Sequence, residues 1–263
     1  MTPAAPSSSA LAAAADRYAD AVVRDEVRVA GPDATSFLDG QLSQAVADLE
    51  VGASAWSFVL QPQGKVDAWC RVWRRGPDAF GLDVDAGFGE LLEARLRRFF
   101  LRVDAAIEVE LARPPILHDP DAARTAWRVE RGIPAMGAEI TDAVIPAELG
   151  QWVVDSSVSF TKGCFTGQEL VARVDSRGGN VPRPLRGLVA DGPMAPGDLV
   201  ERDGEPVGHV TSAAATSALG RAVALAFVHR TVEPGAVLAV RGETIVDAEV
   251  TALPLVAVAP PQG

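Results

Sequence analysis

One short segment of the chain combines the residue types that nucleophilic or metal-binding chemistry requires. It is the octapeptide KGCFTGQE at positions 162–169, and it contains Cys164, one of only two cysteines. Thr166 and Glu169 have the T-x-x-E spacing of a capping box, in which each side chain satisfies a free backbone N–H group of a helix start. We therefore predict a helix over 167–174, with the thiol just ahead of its positive end.

The residues around the thiol predict that it is reactive. Lys162 and Arg173 are cations that would favour the thiolate, and the glycines on either side of the cysteine leave little bulk to cover the sulfur. Gln168 would orient a bound group by hydrogen bonding. The residues assigned to catalysis are Cys164, Lys162, Gln168 and Arg173. Those assigned to the structure of the motif are Gly163, Thr166, Gly167 and Glu169.

The second cysteine has a different sequence context. Cys70 lies in an alternating run over 66–73 that is typical of a half-buried strand, so we interpret it as a structural thiol. The three histidines, His118, His209 and His229, are widely spaced and lack partners at metal-ligand spacing. We expect no stable metal site, because a zinc ion or a stably held iron–sulfur cluster would need more soft ligands than the chain offers.

Composition narrows the class of protein. The chain has 263 residues, a hydrophobic fraction of 48% and a formal net charge of −11. The negative charge opposes non-specific nucleic-acid binding, and no apolar run is long enough to cross a bilayer. Two distant cysteines and the lack of a signal-peptide pattern favour the cytoplasm. The basic exceptions are 95–102, interpreted as an amphipathic helix, and 173–186, interpreted as a wall of an anion site.

The order of predicted elements favours an α+β fold. Hairpin-joined strands with two intervening helices argue against a doubly wound parallel sheet. The strands are predicted at 26–29, 55–60, 66–73, 79–84 and 106–111, and the helices at 34–46, 88–101 and 121–131.

After residue 184 the pattern changes to short apolar runs separated by glycine and proline turns, which predicts a small antiparallel β-barrel. We place the α+β region at 18–184, with an internal boundary at about 112–118, and the barrel at 185–256. The low-complexity ends, 1–17 and 257–263, are expected to be disordered.

The octapeptide and several other segments resemble the YgfZ family, which is related to the aminomethyltransferase (GcvT, T protein) of the glycine cleavage system. The octapeptide, continued by Val-Ala-Arg at 171–173, is similar to the K-G-C-Y/F-x-G-Q-E signature of that family. The strand and helix start at 27–38, the turn at 61–65 and the barrel segments at 208–228 are also similar. The resemblance covers about residues 25–255.

This resemblance implies a GcvT-like cloverleaf around a central channel that holds tetrahydrofolate or a one-carbon-substituted folate. Its parts would be two intertwined ferredoxin-like α+β subdomains and the C-terminal barrel. Glu130, in the segment 128–134, corresponds to the family glutamate that hydrogen-bonds the pterin, a pairing that a carboxylate can make with two N–H donors. We assign Glu130, Arg173 and Lys65 to cofactor binding.

The leading hypothesis is a folate-dependent factor for iron–sulfur cluster assembly or repair that acts through Cys164 and supports tRNA modification indirectly. Its partners would be iron–sulfur proteins or cluster carriers, with no direct nucleic-acid contact and no membrane. One alternative is an aminomethyltransferase-like one-carbon transferase with Asp104 or Glu130 as general base. Another is a non-catalytic scaffold that folate stabilises in one conformation.

Overall fold

The computed structural model describes residues 6–112 and 121–258. Its first element is a helix, α1 (Ser8–Ala21), in a segment that we expected to be disordered. Ser7 caps this helix through its side chain, and alanine-rich sequence favours the helical state. Leu11 and the alanines on the same face are buried in the main core. The prediction of disorder over 1–17 is therefore wrong from residue 8 onward. Residues 1–5, and 259–263 of the expected tail, lie outside the described residues.

The first half of the chain forms a five-stranded antiparallel sheet, as the alternating patterns predicted. The strand order is β2-β3-β4-β1-β5. Helices α2 and α3 connect the strands and pack on the sheet. The elements are β1 (Arg24–Ala30), α2 (Ala34–Gln41), β2 (Ser54–Leu60), β3 (Val66–Gly76), β4 (Ala79–Asp85), α3 (Gly89–Arg97) and β5 (Ala106–Glu110).

The segment 121–184 is helical and differs from the second ferredoxin-like subdomain that we expected. It contributes no strand to either sheet, and its only β-structure is an isolated bridge between Met136 and Ile140. The first helix of the segment is favoured locally, because Asp121 caps its start through its side chain and Gly132 ends it in the left-handed conformation. The predicted boundary at 112–118 lies almost wholly outside the described residues. The elements are α4 (Ala122–Arg131), a 3₁₀ helix (Pro146–Leu149), α5 (Gln151–Ser157) and α6 (Gln168–Asp175).

The C-terminal strands close into a six-stranded antiparallel barrel, which confirms the predicted α+β fold with a terminal barrel. The strands are β6 (Leu185–Ala190), β7 (Leu199–Arg202), β8 (Glu205–Ala214), β9 (Ala222–Val228), β10 (Val237–Arg241) and β11 (Ile245–Thr251).

The central strand β9 joins the barrel to the rest of the molecule. All seven of its residues are buried. Val223, Leu225 and Phe227 belong to the main core, whereas the alternate residues belong to the barrel core. A strand with two apolar faces therefore fixes the barrel against the α+β region. In the described part of the chain, no helix is both long and apolar enough to span a membrane.

Candidate functional site

Cys164 lies on an exposed loop over 158–167, between α5 and α6. The loop is tied to the end of α2, because the backbone N–H of Thr166 donates to the carbonyl of Gly40 at 3.1 Å. Gly163 faces open space, since a Cβ placed there would have no neighbour within 4 Å. The thiol is thus accessible while the backbone that carries it is held in place.

The Lys162 side chain is buried, and its ammonium group is bound by the segment 39–44. Its ammonium donates to the carbonyls of Asp39 (2.6 Å), Leu42 (2.9 Å) and Gln44 (2.9 Å). It also lies 3.1 Å from the Asp39 carboxylate, with its side chain 3% exposed. Burial lowers the pKa of this ammonium group, although Asp39 opposes the shift. These contacts give Lys162 a role in holding the backbone of the loop, and its predicted catalytic role stays a prediction.

Gly167 packs directly against the hairpin turn at 61–65 that joins β2 to β3. Its φ is +81°, and a Cβ there would lie 2.5 Å from the carbonyl oxygen of Gln61. From the other side, Gly64 has φ +79°, and a Cβ there would lie 2.6 Å from the Cβ of Leu170. Only glycine permits both the left-handed backbone and this close approach. The two sequence segments that resemble the same family are therefore in contact.

The start of α6 differs from the predicted capping box. The helix begins at Gln168, its N-cap is Gly167, and no side chain caps it. The Gln168 side chain instead accepts a hydrogen bond from the backbone N–H of Phe165 at 3.2 Å. Glu169 is exposed, and its carboxylate makes no capping bond with Thr166. The box does not form because the chain enters the helix through a left-handed glycine.

Cys70 has the structural environment that its sequence context predicted. It is fully buried in β3, and its sulfur lies 3.8 Å from the carbonyl oxygen of Ser57. Burial raises the pKa of the Cys70 thiol to about 12, so it stays protonated and unreactive. Among the described residues there is no group of three or more histidine, cysteine or acidic side chains placed to hold a metal ion.

A cleft of about 730 Å³ opens between α4 and the barrel segment 213–218. Trp127 and Glu130 line it from the helix, and small side chains, mostly alanines, line it from the barrel. Its volume is in the range of small-molecule sites, which are about 300–1,000 Å³.

Glu130 places a carboxylate in the wall of this cleft and is 4% exposed. Its Oε1 accepts from the backbone N–H of Ala218 at 2.5 Å, and its Oε2 lies 3.2 Å from the guanidinium of Arg131. An ionised carboxylate has about four acceptor positions, so these two contacts leave capacity for further donors. The carboxylate is therefore already oriented by the protein.

A second cavity of about 630 Å³ adjoins the first, and the two share Thr125 and Ala213 in their walls. Helix α1 supplies Tyr18 to this cavity, and β4 supplies Asp85. Sequence reasoning missed α1 as a wall because its alanine-rich start was interpreted as low complexity.

A buried ion pair crosses from α4 to the barrel beside this cavity. Arg128 contacts Glu139 at 2.9 Å and the Ser212 hydroxyl at 2.6 Å, while Glu139 also accepts from the Thr211 hydroxyl at 2.6 Å. Burial acts to lower the pKa of Arg128, but Glu139, Tyr18 and Asp85 together outweigh it, and the pKa is raised overall. Sequence reasoning missed Glu139. The one feature of the sequence that could have indicated it is that an acidic residue stands within a mostly apolar segment.

The remaining predicted site residues do not meet at the Glu130 cleft. Lys65 is exposed on the hairpin turn, Arg173 is exposed on α6, and neither lines the two cavities. Both lie on the elements that pack around Gly167, on the side of the cysteine loop. Asp104, the alternative general base, is also exposed and outside both cavities. The structure therefore separates the thiol and its neighbouring cations from the candidate folate carboxylate.

Comparisons of sequence find similarity to aminomethyltransferases and to tRNA-modifying proteins of the YgfZ type. Residues 183–256 match the glycine cleavage T-protein C-terminal barrel domain. An aminomethyltransferase of Streptomyces avermitilis is 32% identical over 220 residues, which cover 80% of this chain and 54% of that protein. The tRNA-modifying protein YgfZ of Serratia proteamaculans is 31% identical over 159 residues, which cover 55% of this chain and 47% of that protein. The chain thus spans about half the length of these two relatives.

A comparison of structures supports the same fold. The crystal structure of the glycine cleavage system aminomethyltransferase T from Bartonella henselae superposes with a TM-score of 0.74. The match covers 91% of this chain and 86% of that chain, at 16% sequence identity. At this identity the likeness shows the fold, and the chemistry has to be argued from the residues.

Proposed function

Because the chain is a YgfZ-type protein of the glycine cleavage T-protein superfamily, we propose that it is a folate-dependent factor for iron–sulfur cluster assembly or repair. Cys164 is its reacting group, and the cleft at Glu130 is its folate site. The proposal rests mainly on one observation. The Cys164 thiol is exposed, whereas hydrogen bonds and close packing hold the backbone of its loop in place. Lys162 and Gly167 are committed to holding that backbone.

In this proposal Cys164 acts as a nucleophile or as a transient ligand of a cluster that belongs to another protein. A cluster needs about four ligands, so a partner protein or a small thiol must supply the others. Relatives carry the name tRNA-modifying protein. We propose that this chain supports tRNA modification indirectly, through modifying enzymes that contain clusters.

The folate half of the proposal rests on Glu130. Its carboxylate would accept hydrogen bonds from the 2-amino group and ring N–H of a pterin, and the Ala218 and Arg131 contacts would keep it oriented. Tetrahydrofolate, when bound, supplies a carrier for one-carbon units. The alanines of α4 and of the barrel segment 213–218 leave room for the ring, and Trp127 adds an aromatic wall.

The proposal is tested in cells with a substitution that replaces the Cys164 sulfur and keeps the fold. We expect Cys164→Ser to lower the activity of cluster-dependent enzymes in cells to the level of a strain that lacks the gene. Cys70→Ala is the matched control, because it removes the buried thiol and should leave that activity intact. Unchanged enzyme activity in Cys164→Ser cells would contradict the proposed mechanism.

A one-carbon transferase is the second candidate, and the similarity to an aminomethyltransferase over most of the chain favours it. Glu130 would then be the general base, since Asp104 lies outside both cavities. Formation of methylene-tetrahydrofolate by the purified protein from a candidate aminomethyl donor would support this function. The same activity should then persist in Cys164→Ser.

A further inference from the structure

Arg95 belongs to the basic segment at 95–102, which we interpreted from the sequence as an amphipathic helix. In the structure the helix α3 ends at Arg97, and Arg95 is buried, with 3% of its surface exposed. A buried guanidinium needs acceptors for its N–H groups, because an unpaired polar group inside a protein costs free energy. The acceptors of Arg95 come from two other parts of the chain.

The first part is the hairpin turn at 61–65, which Arg95 binds at its base. The guanidinium donates to the carbonyl of Leu60 at 2.5 Å and to the carboxylate of Asp67 at 2.7 Å. Asp67 also accepts from the side-chain amide of Gln61 at 3.0 Å. The carbonyl of Gln61 is the group that closely approaches the last residue of the cysteine loop. Arg95 is therefore bonded to the base of the turn on which that loop ends.

The second part is the segment 39–44, to which the cysteine loop is bonded on both sides of Cys164. Before the cysteine, the backbone N–H of Ser159 donates to a carbonyl of this segment at 3.0 Å, and the ammonium of Lys162 binds three more. After the cysteine, the backbone N–H of Thr166 donates to another carbonyl of the segment at 3.1 Å. The position of the thiol therefore depends on the position of the segment 39–44.

Arg95 joins the segment 39–44 to the hairpin turn, because its guanidinium also donates to Oε1 of Gln41 at 3.3 Å. Burial lowers the pKa of Arg95 although its bond to Asp67 opposes the shift, so this ion pair does not fully offset the cost of burying the charge. What arginine supplies here is geometry, since its planar guanidinium holds five N–H donors in a fixed fork.

We propose that Arg95 is a positioning residue for Cys164. Its guanidinium holds the segment 39–44 and the hairpin turn at a fixed spacing, and the cysteine loop, which is bonded to both, takes its position from them. The proposal rests on the proposed function, because the position of the thiol matters only if Cys164 is the group that serves a cluster. A misplacement of about 1 Å at a reacting group can lower a rate about a hundredfold.

The test compares two buried arginines by amide hydrogen exchange of the loop 158–167, followed by mass spectrometry. Arg95→Met should speed this exchange about tenfold, because charged hydrogen bonds that restrain the segment 39–44 are lost. Arg71→Met is the matched control. The Arg71 side chain is only 6% exposed, but it is bound by carboxylates of α1 and β4. Its replacement should leave the exchange of the loop at the wild-type rate.

The activity of a cluster-dependent enzyme, measured in a strain that lacks the gene, shows whether the position of the thiol matters. For equal amounts of folded protein, Arg95→Met should lower this activity by about tenfold or more, and Arg71→Met should leave it unchanged. Arg95→Lys keeps the charge beside Asp67 but lacks the fork. We expect it to fold and still to speed the exchange of the loop, so it carries the test if Arg95→Met does not fold.

The outcomes separate this proposal from the proposed function. Wild-type exchange of the loop in the folded Arg95 variants, or an equal increase in Arg71→Met, overturns the positioning role. Normal enzyme activity with folded Arg95→Met also overturns it when Cys164→Ser is inactive in the same strain. If Cys164→Ser is active as well, the proposed function fails, and the exchange rates alone then decide whether Arg95 holds the loop.

Discussion

The cysteine loop and the cleft between α4 and the barrel differ in which of their functional groups is exposed and which is buried. In the loop the Cys164 thiol is exposed, and the charged side chain of the neighbouring Lys162 is buried. In the cleft the candidate ligand-binding carboxylate of Glu130 is itself buried and held by the protein. A charged side chain near a candidate functional group can therefore serve to hold the structure. Lys162 holds the backbone of the cysteine loop, and Glu130 forms part of the wall of the cleft.

The largest effect is expected from breaking the buried ion pair between Arg128 and Glu139, beside the second cavity. Glu139→Leu should cost about 3–5 kcal/mol of unfolding free energy, because Arg128 would be left as a buried charge without its partner. Urea denaturation measures the change. The control is Glu169→Leu on the exposed start of α6, which should stay within about 0.5 kcal/mol of wild type. Equal effects of the two substitutions would contradict the buried network.

On the loop side, Gly167→Ala should cost about 2–3 kcal/mol, since a side chain there meets the Gln61 carbonyl and strains a left-handed backbone. Gly163→Ala is the matched variant four residues before the helix N-cap. It meets open space and should change the unfolding free energy by less than about 0.5 kcal/mol. If both variants unfold at the same urea concentration, the hairpin contact is not what fixes the loop.

Lys162→Met tests whether the lysine holds the backbone or activates the thiol. It should cost about 1–3 kcal/mol of unfolding free energy, because three carbonyls lose a common donor. The rate of Cys164 alkylation at a fixed pH should stay that of the wild type. Slower alkylation in this variant would support the activating role that the sequence predicted.

The smallest effect on stability is expected from modifying the thiols of the native protein. Iodoacetamide should label Cys164 and leave the melting temperature unchanged, because the side chain is exposed. Cys70 should react only after unfolding, since it is buried and its pKa is about 12. Peptide mass spectrometry reports both sites, and labelling of Cys70 in the folded protein would contradict this assignment.

Much of the fold could be predicted because alternation and turn residues act locally. Cys70 was assigned correctly to a buried strand for this reason. The four-residue strand β7 was missed because it is too short to show a period. Helix α1 was missed because its alanines, taken alone, resemble low complexity, and its burial depends on tertiary packing.

The local structure of the octapeptide was predicted in part, and the differences have one physical origin. A helix does follow the thiol, but the T-x-x-E spacing describes a local bond that competes with tertiary contacts. Gly167 takes the left-handed conformation because the hairpin turn approaches it closely, and the capping box is lost. Lys162 was likewise assigned by proximity in sequence, whereas carbonyls more than 100 residues away in the chain bind its ammonium.

The most direct test of this division is a folate titration of the wild type and two variants. Tetrahydrofolate should raise the melting temperatures of the wild type and of Cys164→Ser equally, because the thiol lies outside the cleft. Glu130→Ala should lose most of that stabilisation. If Cys164→Ser loses it instead, or if Glu130→Ala keeps it, the cleft at Glu130 is not the folate site and the account of two separate centres is wrong.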